Sequence, residues 1–297
     1  MSLKHSNISI FVPHIGCPHQ CSFCNQFSIT GSVKAPNPED IVLAVNDAKK
    51  SKFYDPKSTE LAFFGGSFTA IDINYQKHLL EAGYKHIKKG DISGIRISTR
   101  PDAINEDILI MLKNYGVTAI ELGAQSMCDD VLIANNRGHS SKDVEIAGKL
   151  IKSYGFSLGL QMMTGLLGDS AERDIYTAEK IISLNPDTVR IYPTIVLEGT
   201  RLSSLVKEGK FTPPSIENAI DLVVKLLEMF KDANITVIRT GLHTIDENSY
   251  VAGPWHPAFK ELCDSRIFRN EILKYPKGDY IVLVNPKDIS KAIGQKR

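Results

Sequence analysis

The chain contains no run of about 18 apolar residues, the length that a membrane-spanning helix requires. Its first residues, Met1-Ser2-Leu3-Lys4-His5, lack the basic and then apolar order of a secretory signal. No sign of charge dominates, because 35 Lys and Arg stand against 34 Asp and Glu. The chain as a whole is therefore not a polycation built to grip nucleic acid. Local basic clusters such as Lys49-Lys50-Ser51-Lys52 and Lys85-His86-Ile87-Lys88-Lys89 are read as solvated helix ends. Cysteine is also scarce, with five in 297 residues. An odd, small number argues against a disulfide framework, and with no leader in view the expected setting is a reducing cytoplasm without membrane association.

Three of those five cysteines crowd into Gly16-Cys17-Pro18-His19-Gln20-Cys21-Ser22-Phe23-Cys24-Asn25. Gaps of three and two residues let one loop fold Cys17, Cys21 and Cys24 around a single inorganic centre. Two centres fit three close thiolates. A four-iron cluster held by three cysteines keeps one iron open and reactive. A structural zinc site takes four ligands, here with His14 or His19 as the fourth, and the chain would then be a non-enzymatic binding module. Cys128 and Cys263 stand alone and are read as inert packing thiols.

Around this loop, short β-branched runs alternate with helical stretches. Ile8-Ser9-Ile10-Phe11-Val12 ends at Pro13, just before the loop, and reads as a buried first strand. Asn37-Pro38-Glu39-Asp40 then supplies a cap, a proline at the first helical position and early acids, so a helix should run to about Lys50. Leu61–Phe64, ending in Gly65-Gly66, leads into a helix over 75–88. Gly94–Ser98 is followed by a helix capped by Asn105 and closed by Gly116. Further strands are expected at 117–122, 156–162 and 187–192, with helices at 141–154 and 171–184. Six strands, each followed by a helix, imply parallel pairing by right-handed crossovers. Six units cannot close an eight-stranded barrel. The expected fold is α/β: a partial (β/α)6 TIM-like barrel over 1–205, its functional loops gathered at the C-terminal strand ends. Residues 206–297 are expected to form a small C-terminal α+β appendage packed on the barrel, with a largely buried helix at 215–230 and strands at 235–239 and 280–284.

The spacing Cys17-x3-Cys21-x2-Cys24, with aromatic Phe23 before the last cysteine, resembles the signature of the radical S-adenosylmethionine (SAM) superfamily. The resemblance implies a [4Fe–4S] cluster on those cysteines, whose open iron binds SAM, and reductive cleavage of SAM to methionine and a 5′-deoxyadenosyl radical. Further segments are similar to the radical-SAM domain of the elongator catalytic subunit family: Gly65-Gly66-Ser67-Phe68-Thr69, Thr99-Arg100-Pro101-Asp102, Glu121–Ser126, Asn136-Arg137-Gly138-His139 and Ile191-Tyr192-Pro193-Thr194. That family modifies the wobble uridine of tRNA. Oxygen-independent coproporphyrinogen oxidases share several of these segments more distantly.

By this resemblance SAM is expected against Phe23, Gly65, Gly66, Ser67, Ser98, Gln125, Arg137 and Gln161. Arg137 suits the methionyl carboxylate, while Gln125 suits ribose or carboxylate and Gln161 the ribose. Ser67 and Ser98 stand where relatives carry glutamate. Arg100, His139 and Tyr192 fall on the same predicted face, and His256 beside Trp255 belongs to the tail. Residues 206–297 are too few for the acetyltransferase domain that follows in elongator subunits. The implied partners are an electron donor of flavodoxin or ferredoxin type, and either tRNA or a small molecule, such as a tetrapyrrole, as substrate.

Overall fold

The computed structural model describes residues 5–12, 20–25, 35–242 and 245–294. Its main sheet is built from β1 (Ser6–Val12), β2 (Thr59–Gly65), β3 (Gly94–Thr99), β4 (Val117–Gln125), β5 (Ser157–Thr164), β6 (Thr188–Pro193) and, after the short β7 (Val196–Leu197), β8 (Thr236–Thr240). The order is β1-β2-β3-β4-β5-β6-β8 and every pair is parallel. The sheet curls into an open half-barrel, as the six-unit reading requires. The expected strand at 235–239 forms as β8 and adds a seventh member beside β6.

Side chains alternate across this sheet with period two. Leu61, Phe63, Ile95, Ile97, Ile120, Leu122, Leu158, Leu160, Val189 and Ile191 are fully buried on the convex side beneath the helices. Between them stand Glu60, Arg96, Ser98, Glu121, Gln161 and Arg190 on the concave side. A strand covered on one face by helices and on the other by a polar lumen has no solvent-facing side, so nearly all of β3 and β4 is buried.

The covering helices begin at polar caps that satisfy their first N–H groups. In α1 (Pro38–Lys49) and α5 (Ser141–Ser153), Asn37 with Asp40 and Ser140 with Asp143 form reciprocal capping boxes. Asp72, Asn105, Ser170 and Ser215 cap α2 (Ile73–Lys88), α3 (Glu106–Asn114), α6 (Ala171–Ser183) and α8 (Ile216–Asp232). Short helices α4 (Asp129–Ala134) and α7 (Arg201–Lys207) lie in the connections at the C-terminal strand ends. The helix expected to be largely buried at 215–230 forms as α8, with Ile220, Val223, Val224, Leu226 and Phe230 all buried in the same core as the strands.

The tail differs from expectation in two places. Residues 259–273 form a helix, α9 (Phe259–Leu273), and a short α10 (Ile289–Ile293) follows. The expected strand at 280–284 does not form: these residues pair with no strand, and Ile281 and Leu283 are each 93% exposed. A strand-prone composition makes a strand only where an edge is offered to it. β7 pairs instead with β9 (Tyr250–Ala252), antiparallel, over a small second cluster of Ile195, Leu197 and Ile245 with Trp255 against it. Among the described residues, no helix is long and apolar enough to cross a membrane.

Candidate active site

The cysteine loop follows β1, and its described part is anchored from two sides. The Ser22 N–H donates to the Asn135 carbonyl at 3.0 Å, and the Ser22 hydroxyl donates to Asn135 Oδ1 at 2.6 Å. The Leu202 N–H of α7 donates to the Ser22 carbonyl at 2.9 Å, and Asn25 Nδ2 donates to the Glu198 carbonyl at 2.8 Å. Residues 20–25 are thus pinned between α4 and α7. Within them the Cys24 N–H closes a turn onto the Cys21 carbonyl at 3.1 Å. Cys21 is buried, whereas Cys24 and Phe23 are half-buried. Cys17, the first thiol of the motif, lies outside the described residues, and among these no three metal-ligating side chains gather.

Arg137 connects this loop to the sheet. Its buried guanidinium donates through Nη1 to Cys21 Sγ at 3.2 Å and through Nη2 to the Gly123 carbonyl at 2.7 Å, while Nε has no partner. Gln125 reaches the same spot by an unusual backbone. The register of β4 against β5 shifts between Gly123 and Gln125, and Gln125 takes a φ of +66°. Its Oε1 is buried with no partner. Gly123 makes the room: a Cβ there would sit 2.9 Å from Gln125 Nε2 and 3.4 Å from Arg137 Nη2.

The other expected residues divide. Ser98, on the lumen side of β3, has a buried hydroxyl with no partner. Ser67 is committed elsewhere, since its oxygen lies 2.9 Å from Thr99 Oγ1 and accepts from the Arg100 N–H at 3.1 Å, tying the ends of β2 and β3 together. Gly65 has a packing reason for being glycine. A Cβ there would stand 2.3 Å from the Phe11 ring and 2.5 Å from the Val12 carbonyl oxygen. The Gly66 N–H donates to that same carbonyl at 2.8 Å. Gln161 donates to Glu121 Oε2 at 3.3 Å.

Arg100 grips Asp102 bidentately at 2.9 and 2.7 Å. Burial would raise the Asp102 carboxyl, but the bonds and charge of Arg100 outweigh it and hold it below the usual range. His139 sits 3.2 Å from the Ala124 carbonyl through Nε2. Burial first, and then the Arg137 charge, push its pKa down to about 4. The ring is therefore neutral at pH 7, with Nε2–H donating to Ala124 and Nδ1 left as an acceptor. His256 accepts the Ala258 N–H at 3.0 Å and so serves the tail's own turn. Cys263 is fully buried and its thiol is pushed up to about 12 by burial, which makes it inert; burial also raises Cys128.

Beneath these residues the lumen carries a charged network that motif reading missed. Glu121, only 1% exposed, pairs with Arg190 at 2.7 and 2.9 Å and with Arg96 at 3.3 Å. Arg96 also pairs with Glu60 at 2.9 Å, and the Thr118 hydroxyl donates to Glu60 at 2.6 Å. The signal was present as one charged residue, Arg96, Glu121 or Arg190, inside each of three strands otherwise apolar enough to be buried.

An open α/β half-barrel with a cysteine loop after its first strand defines a class, and comparison with known proteins agrees. The Radical SAM superfamily profile matches residues 11–181, and the Radical_SAM C-terminal domain profile matches residues 186–269. The chain belongs to the radical SAM superfamily and is an enzyme. It is 26% identical over 282 residues to a tRNA uridine(34) acetyltransferase of Dehalococcoides mccartyi, covering 79% of this chain and 61% of that protein. It is 33% identical over 184 residues to the namesake of Methanocaldococcus infernus, covering 55% of this chain and 34% of that protein. Among solved structures, the Methanocaldococcus infernus Elp3 lacking its N-terminus matches with a TM-score of 0.71 at 26% identity, over 90% of this chain and 64% of that one. The coproporphyrinogen III oxidase of Escherichia coli, at TM-score 0.52 and 18% identity over 76% of this chain and 52% of that one, shares the fold alone.

Proposed function

We propose that this enzyme holds a [4Fe–4S] cluster on Cys17, Cys21 and Cys24, binds SAM beside it, and modifies tRNA. When bound, the cluster supplies the electron that cleaves SAM and starts radical chemistry. One observation carries the reading: three buried polar atoms, Gln125 Oε1, Ser98 Oγ and Arg137 Nε, stand without partners at the C-terminal side of the lumen. Buried polar groups are normally satisfied, and each left open costs free energy. A ligand rich in polar groups would satisfy them, and SAM, with its amino, carboxylate and ribose groups, is such a ligand. Arg137 would orient the carboxylate from beside Cys21, and Gln161, held by Glu121, would meet the ribose. Glycine at 123 leaves the space that these side chains and the ligand share. The tRNA reading is supported by the uridine-modifying relatives.

Anaerobic reconstitution tests this directly. The parent chain should take up four iron and four sulfide, turn brown and release 5′-deoxyadenosine from SAM under reduction, while Cys21→Ala should do neither. A colourless protein carrying one zinc per chain would overturn the reading. For the substrate, tRNA titrated at two salt concentrations should bind far more weakly at the higher one, because phosphate contacts release counterions.

A further inference from the structure

The lumen holds a positive charge that its carboxylates do not balance. Glu60 and Glu121 are both engaged by Arg96 and Arg190. A third arginine, Arg239 on β8, stands beside them. It is the register partner of Arg190 on β6, as Arg190 is of Gln161 on β5, so the three residues form one row across the curled sheet. Arg239 makes no ion pair with a carboxylate among the described residues, and its Nε is buried without a partner. Burial and the charge of Arg190 both work against its protonation, with the Tyr192 hydroxyl opposing them. Arg190 itself is fixed, because Glu121 grips it on one side and the Phe64 ring lies 5.2 Å from its guanidinium on the other. Its Nη1 remains 3.5 Å from the Tyr192 hydroxyl.

Glu121 compensates Arg190, so the charge left over in this partly buried row is that of Arg239, and an anion arriving there would be stabilised by both guanidiniums. We propose that Arg239, Arg190 and Tyr192 form an oxyanion site in the lumen that receives a phosphate group of a nucleotide in the substrate. Planar guanidiniums suit phosphate, whose several oxygens can accept from both arginines and the hydroxyl together. The row lies on β5, β6 and β8, so the two arginines adjoin Gln161, the residue assigned to the SAM ribose, and are distinct from Arg137 and Gln125. This inference rests on the reading that the substrate is RNA.

The test compares uridine 5′-monophosphate with uridine as probes of the whole 297-residue chain by calorimetry. The parent should bind the monophosphate about ten- to a hundredfold more tightly than the nucleoside, as one or two charge-assisted hydrogen bonds would give. Inorganic phosphate should displace the monophosphate. Arg239→Gln should erase the difference while Arg239→Lys keeps part of it, with thermal melts showing that each variant folds. Equal affinity for the two probes in the parent, or a difference undiminished in a folded Arg239→Gln, overturns the site. Should the glutamine variant not fold, failure of phosphate to displace the monophosphate from the parent does so. The tRNA titration runs alongside. If tRNA fails to bind while the monophosphate preference holds, the RNA reading falls and the oxyanion site stands; if tRNA binds with steep salt dependence and the two probes are equal, the site falls alone.

Discussion

Gly65 is glycine because two stretches of chain meet where its side chain would be. A methyl group there would press on the Phe11 ring and on the Val12 carbonyl oxygen, and the φ of +113° is closed to other residues. The ring can turn, but the carbonyl is backbone and accepts the Gly66 N–H. Gly65→Ala is therefore expected to lower the unfolding free energy by about 2–3 kcal/mol, read from a urea midpoint; an unshifted midpoint would mean that the end of β1 moves aside without penalty. His139 makes a pH prediction. In the unfolded chain it titrates at 6.5, but in the fold only at about 4. The neutral ring's contribution is thus complete above pH 6.5 and is lost as the pH falls toward 4, amounting to about 3 kcal/mol over that interval. Urea midpoints of the parent should fall between pH 7 and 4.5, whereas those of His139→Asn should stay nearly level over the same range. A parallel decline in both proteins would assign the acid sensitivity to other groups.

The lumen network acts between elements. Glu121 on β4 holds Arg96 on β3, Gln161 on β5 and Arg190 on β6, so one carboxylate spaces three strands of the curl. Glu121→Gln leaves Arg190 buried without a counter-ion, for a loss of about 3–5 kcal/mol. Removing both charges should recover much of it, so a cycle of Glu121→Gln, Arg190→Met and the double variant is expected to show strong coupling in urea unfolding. Additive losses would mean that the pair is solvated. This network also marks how far sequence reading reaches. Helix starts were legible where Asn37 and Asn105 cap locally, within three residues of the N–H groups they satisfy. The cysteine loop was legible for the same reason. Glu121 and Arg190 were not, because their pairing joins positions 69 apart and exists only once the sheet has curled. Helix α9 was missed because Ala258 offers it no side-chain cap and its apolar residues follow no stripe. At 280–284 strand propensity was read correctly, but no free edge meets it.

At the scale of the whole molecule, the part of the chain after Leu205 is built into the barrel. β8 hydrogen-bonds along β6, and Ile220, Val223, Val224, Leu226, Phe230, Ile235 and Phe259 join one continuous core with Ala178, Ile181, Val189 and Ile191. Each large apolar side chain buried this way contributes about 1.5–3 kcal/mol, so the seven together are worth on the order of 10 kcal/mol, as much as the net stability of a typical domain. A chain ending at Leu205 would expose the matching surfaces of α6 and β6 and leave β6 as a bare, apolar edge, which invites aggregation. That truncated chain should show no cooperative thermal transition and should bind a hydrophobic dye, although every cysteine of the motif is retained. The full chain should unfold in a single step seen alike by circular dichroism and by the fluorescence of Trp255, since the tail and the barrel share one core. Two separated transitions, or a truncated chain that melts cooperatively near the parent's temperature, would show the tail to be an independent unit resting on a barrel that is complete without it.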